Sequence, residues 1–204
     1  MKLFYSPGAC SLSPHIVCRE AGLPLELVKV DLKAKKYDGG DFLKINSKGY
    51  VPALQLDSGQ VLTEGPAIVQ YLADQKPDAR LAPKNGSFER CQLQEWLNFI
   101  TSELHKGFSP LFKPNTPDEY KRISRENLSS RIEWLDKQLD GKDYLMGKTF
   151  SVADAYAFTV LSWAKPLQFD LSRWPNVTAY LARVGARPKV QEALRTEGLL
   201  KQAA

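Results

Sequence analysis

Between Gln75 and Ser87 the chain changes its hydrophobic period, and this change restricts it to two unlike halves. The stretch Gln75-Lys76-Pro77-Asp78-Ala79-Arg80-Leu81-Ala82-Pro83-Lys84-Asn85-Gly86-Ser87 is rich in Pro, Gly and polar side chains and reads as a connection. Strand and helix signals alternate before it, and helical patterns run almost unbroken after it. The expected organisation is a first domain over 1–76, a linker over 77–87 and a second, all-helical domain over 88–204. The length of 204 residues suits this division.

In the first half, Lys2–Tyr5 reads as a short strand and Ser11–Ala21 as a helix, with Pro14 tolerable in its first turn and Gly22 as its stop. Glu26-Leu27-Val28-Lys29-Val30-Asp31 alternates at period two, which predicts a second strand. Ala53–Leu56 and Gln60–Thr63 flank Asp57-Ser58-Gly59, a hairpin signal. Gly65-Pro66 then opens a helix through Ile68, Val69, Tyr71 and Leu72. A β-α-β unit, a long loop and a β-β-α unit predict a small mixed sheet with helices packed on it.

In the second half, Trp96, Ile100, Leu104 and Phe108 recur every four residues. Thr116-Pro117-Asp118-Glu119 reads as a capping box opening a helix with Ile123, Ile132, Leu135 and Leu139, and Gly141 fits its end. Ser151-Val152-Ala153-Asp154 is a second box. The segment behind it, Ala155 to Trp163, is apolar on most faces and belongs in the middle of its domain. Pro175 and Pro188 open two further short helices.

Composition narrows the function. At 43% hydrophobic and 25% charged residues the chain is ordinary for a globular protein. A net charge of +5 favours small anions, but no dense Lys/Arg block marks a nucleic-acid binder. Three scattered cysteines, Cys10, Cys18 and Cys91, argue for a reducing compartment rather than a disulfide framework. Two histidines, His15 and His105, with no Cys/His cluster, argue against a metal. The chain opens on a strand without a signal-peptide pattern and has no membrane-spanning apolar run, so a cytoplasmic location is expected.

Three places carry chemistry. Cys10 lies between the first strand and the first helix, where the partial positive charge of a helix N-terminus favours thiolate. Its spacing to Ser13 is C-x-x-S, which suits pairing with an external thiol and offers no resolving cysteine. The alternative, a small buried cysteine, stays open. Glu64 and Gly65 start the second helix, whose first N–H groups suit an anion and whose acid suits an ammonium group; the pair fits a zwitterionic amino-acid head, or an ordinary helix start. Asn98, Ser102 and Lys106 are spaced four apart with His105 beside them, either a polar working face or a solvated one. Phe108, Phe112 and Trp163 either line an apolar pocket or fill the core.

Taken together, these blocks resemble the cytosolic glutathione transferases, in particular the bacterial beta class. The likeness runs through Lys2-Leu3-Phe4-Tyr5-Ser6-Pro7-Gly8-Ala9-Cys10-Ser11-Leu12, Gly49-Tyr50-Val51-Pro52-Ala53-Leu54 and Leu62-Thr63-Glu64-Gly65-Pro66-Ala67-Ile68-Val69. It continues in Glu95-Trp96-Leu97-Asn98-Phe99-Ile100, Ser102-Glu103-Leu104-His105-Lys106-Gly107-Phe108 and Phe150-Ser151-Val152-Ala153-Asp154-Ala155-Tyr156. The resemblance implies a thioredoxin-like α/β N-terminal domain, an all-α C-terminal domain and a homodimer. It places Cys10 near the sulfur of glutathione, Val51 before a cis-proline and against the cysteinyl part, Glu64 and Gly65 at the γ-glutamyl head, and Lys35 at the glycyl end. It puts Asn98, Ser102, His105 and Lys106 near the thiol, with Tyr5, Phe108, Phe112 and Trp163 around the electrophile. Ser151 and Asp154 match a cap that serves folding.

The function these features imply is conjugation of the glutathione thiolate to small hydrophobic electrophiles, halogenated aromatics among them. Cys10 and His105 are its catalytic residues, and glutathione is a co-substrate with no further cofactor or metal. A thiol transferase or reductive dehalogenase working through a Cys10–glutathione mixed disulfide is the alternative. A non-catalytic binding protein on the same fold is a third.

Overall fold

Leu3 and Phe4 point to opposite faces of the first strand, and both are buried, so β1 (Lys2–Tyr5) must have cover on two sides. The computed structural model describes residues 1–200. Contacts group the chain into two units, one of Met1–Ala82 with the segment from Arg187 onward, the other of Pro83–Ala186.

In the first unit, β1 leads through a loop into α1 (Leu12–Ala21), which ends at Gly22 with φ +66°. β2 (Glu26–Asp31) returns parallel to β1, with Lys2 opposite Glu26. The expected long loop contains two strands of two residues each, β3 (Lys36–Tyr37) and β4 (Gly40–Asp41), followed by a 3-10 turn over Phe42–Lys44. β5 (Ala53–Gln55) and β6 (Val61–Thr63) form the expected hairpin, and α2 (Gly65–Asp74) follows with Pro66 in its first turn. The sheet order is β4-β3-β2-β1-β5-β6, mixed in direction as the chain order predicts. One core cluster joins Phe4, Val30, Phe42, Val51 and Ala53, with the Tyr37 ring edge-on to Phe4 at 5.1 Å.

α8 (Pro188–Thr196) also belongs to this unit, packed on α1. Local periodicity groups it with the other late helices, whereas long-range side-chain bonds decide its place. Arg187 forks onto the Glu20 carboxylate at 2.7 and 2.8 Å. Just past the helix, Glu197 accepts from His15 Nδ1 at 2.9 Å, both side chains being fully buried.

In the second unit, α3 (Phe88–Phe99) starts on Ser87, whose hydroxyl accepts from the Arg90 amide. The four-residue repeat of Trp96, Ile100, Leu104 and Phe108 predicts one continuous α-helix. The backbone instead widens to a π-helix over Ile100–His105 before α4 (Lys106–Phe112). α5 (Asp118–Gln138) begins one residue later than a Thr116 box would place it. Its cap position is Pro117, and Glu119, the expected box partner, is bonded to Arg122 instead. α6 (Val152–Leu161) is buried at all ten positions, as its apolar sequence requires. α7 (Pro175–Gly185) completes the unit. No helix among the described residues is long and apolar enough to cross a membrane.

The cysteines differ sharply in setting. Cys18, on α1, is fully buried, and burial pushes its thiol up to about 12. Cys91, on α3, is exposed. At pH 8 iodoacetamide should therefore modify Cys91 and spare Cys18 in the native protein, as read by peptide mass spectrometry. Native labelling of Cys18 at the rate of Cys91 would contradict this packing.

Candidate active site

β1 runs antiparallel to β5, with Phe4 opposite Ala53, and β5 runs antiparallel to β6, with Ala53 opposite Thr63. This register gathers three loops at the C-terminal end of β1. They are the loop after β1 that carries Cys10, the residues before β5 that include Val51, and the corner after β6 that includes Glu64 and Gly65. β2 is parallel to β1, so the loop after it, with Lys35, emerges at the same end. The topology therefore assembles the first-unit candidates from four separate stretches of sequence.

The Cys10 loop is held from several sides. Ser11 Oγ accepts from the Ser6 amide at 3.1 Å and contacts the Ser6 carbonyl at 3.2 Å. Ser13 Oγ donates to the Cys10 carbonyl at 2.9 Å. The Gly8 amide donates to Glu197 Oε2 at 2.9 Å. Gly8 has φ +71°, and a Cβ there would sit 3.3 Å from the Leu199 side chain, so the position suits glycine on both counts. Cys10 itself is half-buried, with Sγ 3.1 Å from the Val51 carbonyl oxygen. That contact is one a thiol makes and a thiolate does not, because only the thiol has a proton to donate.

Val51 precedes Pro52 through a cis peptide bond, as the resemblance implies. Glu64 has φ +72°, a backbone region that costs a non-glycine residue about 1–3 kcal/mol. It caps α2 without a side-chain bond to the helix, and its carboxylate pairs instead with Lys48. Lys35, at φ +55°, directs Nζ to the Gly49 carbonyl at 2.9 Å. Asn46 ties the same loop, donating to the Tyr50 carbonyl at 2.7 Å. Lys48 and Asn46 have no signature in the sequence, because their partners are set by the fold of an irregular loop. Tyr5 ends β1; burial, then the Glu197 carboxylate, hold its phenol above the usual range, so it stays an O–H group.

In the second unit, Asn98, Ser102 and Lys106 are exposed, and Ser102 Oγ donates to the Asn98 carbonyl at 3.0 Å. His105 ends the π-helix, a distortion that frequently marks working sites. Its Nδ1 lies 2.6 Å from the Tyr156 hydroxyl, and its ring stands edge-on to Trp163 at 4.8 Å. Phe112 and Phe108 also meet Trp163 edge-on, at 5.4 and 6.2 Å. Phe108 is 0% exposed and also meets Phe169 edge-on, so it backs this aromatic cluster, while Phe112 at 48% exposure presents it. No motif singles out Tyr156, yet a lone phenol inside a fully buried helix must find a polar partner, and that is its signal.

Comparison with known proteins adds a common thread. Residues 8–75 match the model for the glutathione S-transferase N-terminal domain, and residues 99–188 match that for the C-terminal domain. The chain is 48% identical to glutathione S-transferase GstA of Escherichia coli O157:H7, over 98% of this chain and 100% of the relative. Among solved structures, the ternary complex of BphK, a bacterial GST, shares 60% identity at a TM-score of 0.96, covering 97% of this chain and 100% of its own. A bacterial beta-class glutathione S-transferase from Sphingomonas chungbukensis shares 51% identity at a TM-score of 0.95, covering 98% and 100%.

Proposed function

This chain belongs to the glutathione S-transferase family, in its beta class, and from that premise we propose how its own residues bind glutathione and direct it to an electrophile. The Gly65 amide and the first turn of α2 receive the γ-glutamyl carboxylate, where free N–H groups and the helix dipole favour negative charge. Glu64 takes the γ-glutamyl ammonium in exchange for Lys48. The Val51 backbone pairs with the cysteinyl unit, and Lys35 serves the glycyl carboxylate. Cys10 turns its S–H from the Val51 carbonyl to the glutathione sulfur and so favours the thiolate of glutathione, the form that attacks.

In the helical unit, His105 serves as a donor for the glutathione thiolate, and Asn98, Ser102 and Lys106 serve as polar contacts for the tripeptide. In the same unit Phe112 and Trp163, backed by Phe108, receive a small hydrophobic electrophile, and halogenated aromatics fit that chemistry. Bringing the two reactants together supplies much of the rate. The protein works as a cytoplasmic homodimer and uses glutathione as its co-substrate.

The observation that carries this reading is the convergence of Cys10, Val51, Glu64 and Gly65 at the end of β1, with Cys10 Sγ on the Val51 carbonyl at 3.1 Å. Calorimetry with glutathione tests it. Glu64→Gln removes a charge-assisted bond, about 1.5–3 kcal/mol, so affinity should fall by at least tenfold. Cys10→Ala should leave affinity within a few-fold, since the head-group site lies elsewhere. Unchanged binding in Glu64→Gln, or abolished binding in Cys10→Ala, would reassign the site. Intact mass of the wild type separates conjugation from thiol transfer: the latter requires a glutathione adduct on Cys10 after exposure to oxidised glutathione, one that Cys10→Ala lacks.

A further inference from the structure

The chain has two histidines, and each ring has an Nδ1 in close contact with a group that bears on where its proton sits. His15 Nε2 receives a bond from Arg19 Nε at 3.3 Å, and arginine has no acceptor to offer. With Nε2 accepting, the His15 ring carries its proton on Nδ1 and donates it to Glu197 at 2.9 Å.

His105 meets the opposite arrangement. Its Nδ1 is 2.6 Å from the Tyr156 hydroxyl. That length falls in the range of O–H donors, about 2.5–3.0 Å, and below the roughly 2.7–3.2 Å that N–H donors make. The neighbouring hydroxyl, Thr101 Oγ1, gives its single proton to the Leu97 carbonyl at 2.8 Å and lies 3.5 Å from the Tyr156 hydroxyl. Tyr156 is 2% exposed, and a buried phenol of this kind donates to a fixed acceptor.

We propose that Tyr156 is a positioning residue: its phenol donates to Nδ1 of His105 and fixes the neutral imidazole with its proton on Nε2. The ring then offers an N–H donor to an anion rather than a lone pair to a proton. The edge-on Trp163 ring, 4.8 Å away, holds the imidazole plane in place. This deepens the functional proposal and rests on its assignment of His105 to the glutathione sulfur, where an N–H bond stabilises thiolate and a general base would only remove the proton once. The device explains why a fully buried, otherwise apolar helix carries one phenol at this position.

The test is a long-range proton–nitrogen correlation spectrum of the full chain labelled with 15N-histidine at pH 7.5. The two rings should show opposite tautomers, and loss of one pattern in His105→Asn assigns them. Tyr156→Phe keeps the ring volume and removes only the hydroxyl, so the protein should fold with His15 unchanged as the internal control. In that variant the His105 ring should lose its single-tautomer pattern, and kcat for glutathione conjugation should fall on the order of tenfold, with glutathione affinity unaltered. A His105 proton on Nδ1, or a charged ring, in the wild type would overturn the assignment. A changed tautomer with unchanged kcat would overturn the positioning role. A wild type that conjugates no glutathione defeats the functional reading instead, and the spectrum still judges the tautomer.

Discussion

Asp154→Ala should destabilise the helical unit by about 3–5 kcal/mol, the largest effect of any single substitution considered. The carboxylate is fully buried and accepts four bonds. Oδ1 takes the Leu145 amide at 2.9 Å and the Tyr180 hydroxyl at 3.0 Å. Oδ2 takes the Ser151 amide at 2.8 Å and the Ser151 hydroxyl at 2.9 Å. Burial pushes the carboxyl up from its usual range, and these donors pull it back. Burial also holds the Tyr180 phenol well above its usual range, so it remains a donor. Alanine strands all four donors in a dry environment, at about 1–3 kcal/mol for each that water cannot reach. Asp154→Asn keeps an acceptor on one side and turns an NH2 group toward the Ser151 donors, so its loss should be intermediate. Urea unfolding followed by circular dichroism measures both. An alanine variant within 1 kcal/mol of wild type would mean that the box at the start of α6 is dispensable.

Glu197→Ala should cost the first unit about 3 kcal/mol or more and should also loosen the loop that holds Cys10. The fully buried carboxylate joins His15 on α1 to the Gly8 amide, two residues before Cys10. Without it, the His15 Nδ1 proton and the Gly8 N–H lose their acceptor together. The Gly8 amide should exchange with solvent far faster, and alkylation of Cys10 should accelerate relative to Cys91, which serves as the reference thiol. Glu197→Gln retains one acceptor and should restore part of both. Unaltered exchange at Gly8 would show that the loop is held by its own Ser6–Ser11 bonds alone.

Local signals carried much of the fold. β1 and β2 fall on the residues that strand periodicity selects, Gly22 closes α1 and Pro66 sits in the first turn of α2, because each depends on backbone preferences within a few residues. β3 and β4 are two residues each, too short for any alternation to show. The π-helix at Ile100–His105 leaves the four-residue apolar repeat intact, so nothing in the side chains announces it. Thr116 illustrates competition: its box partner, Glu119, finds a stronger match in Arg122 one turn on. The site divides the same way. Cys10, Glu64 and Gly65 were legible because each stands at a strand-to-helix junction. Lys48 and Glu197 act on partners 16 and 182 residues distant, and only the folded chain brings those together.

The central claim is that this chain joins glutathione to an electrophilic carbon. The most direct measurement is the rate of glutathione conjugation to a chloronitroaromatic electrophile, for wild type and Cys10→Ala side by side. A glutathione-dependent rate above the uncatalysed background, reduced but still present in Cys10→Ala, is the predicted result. A wild-type rate no greater than the background would contradict it.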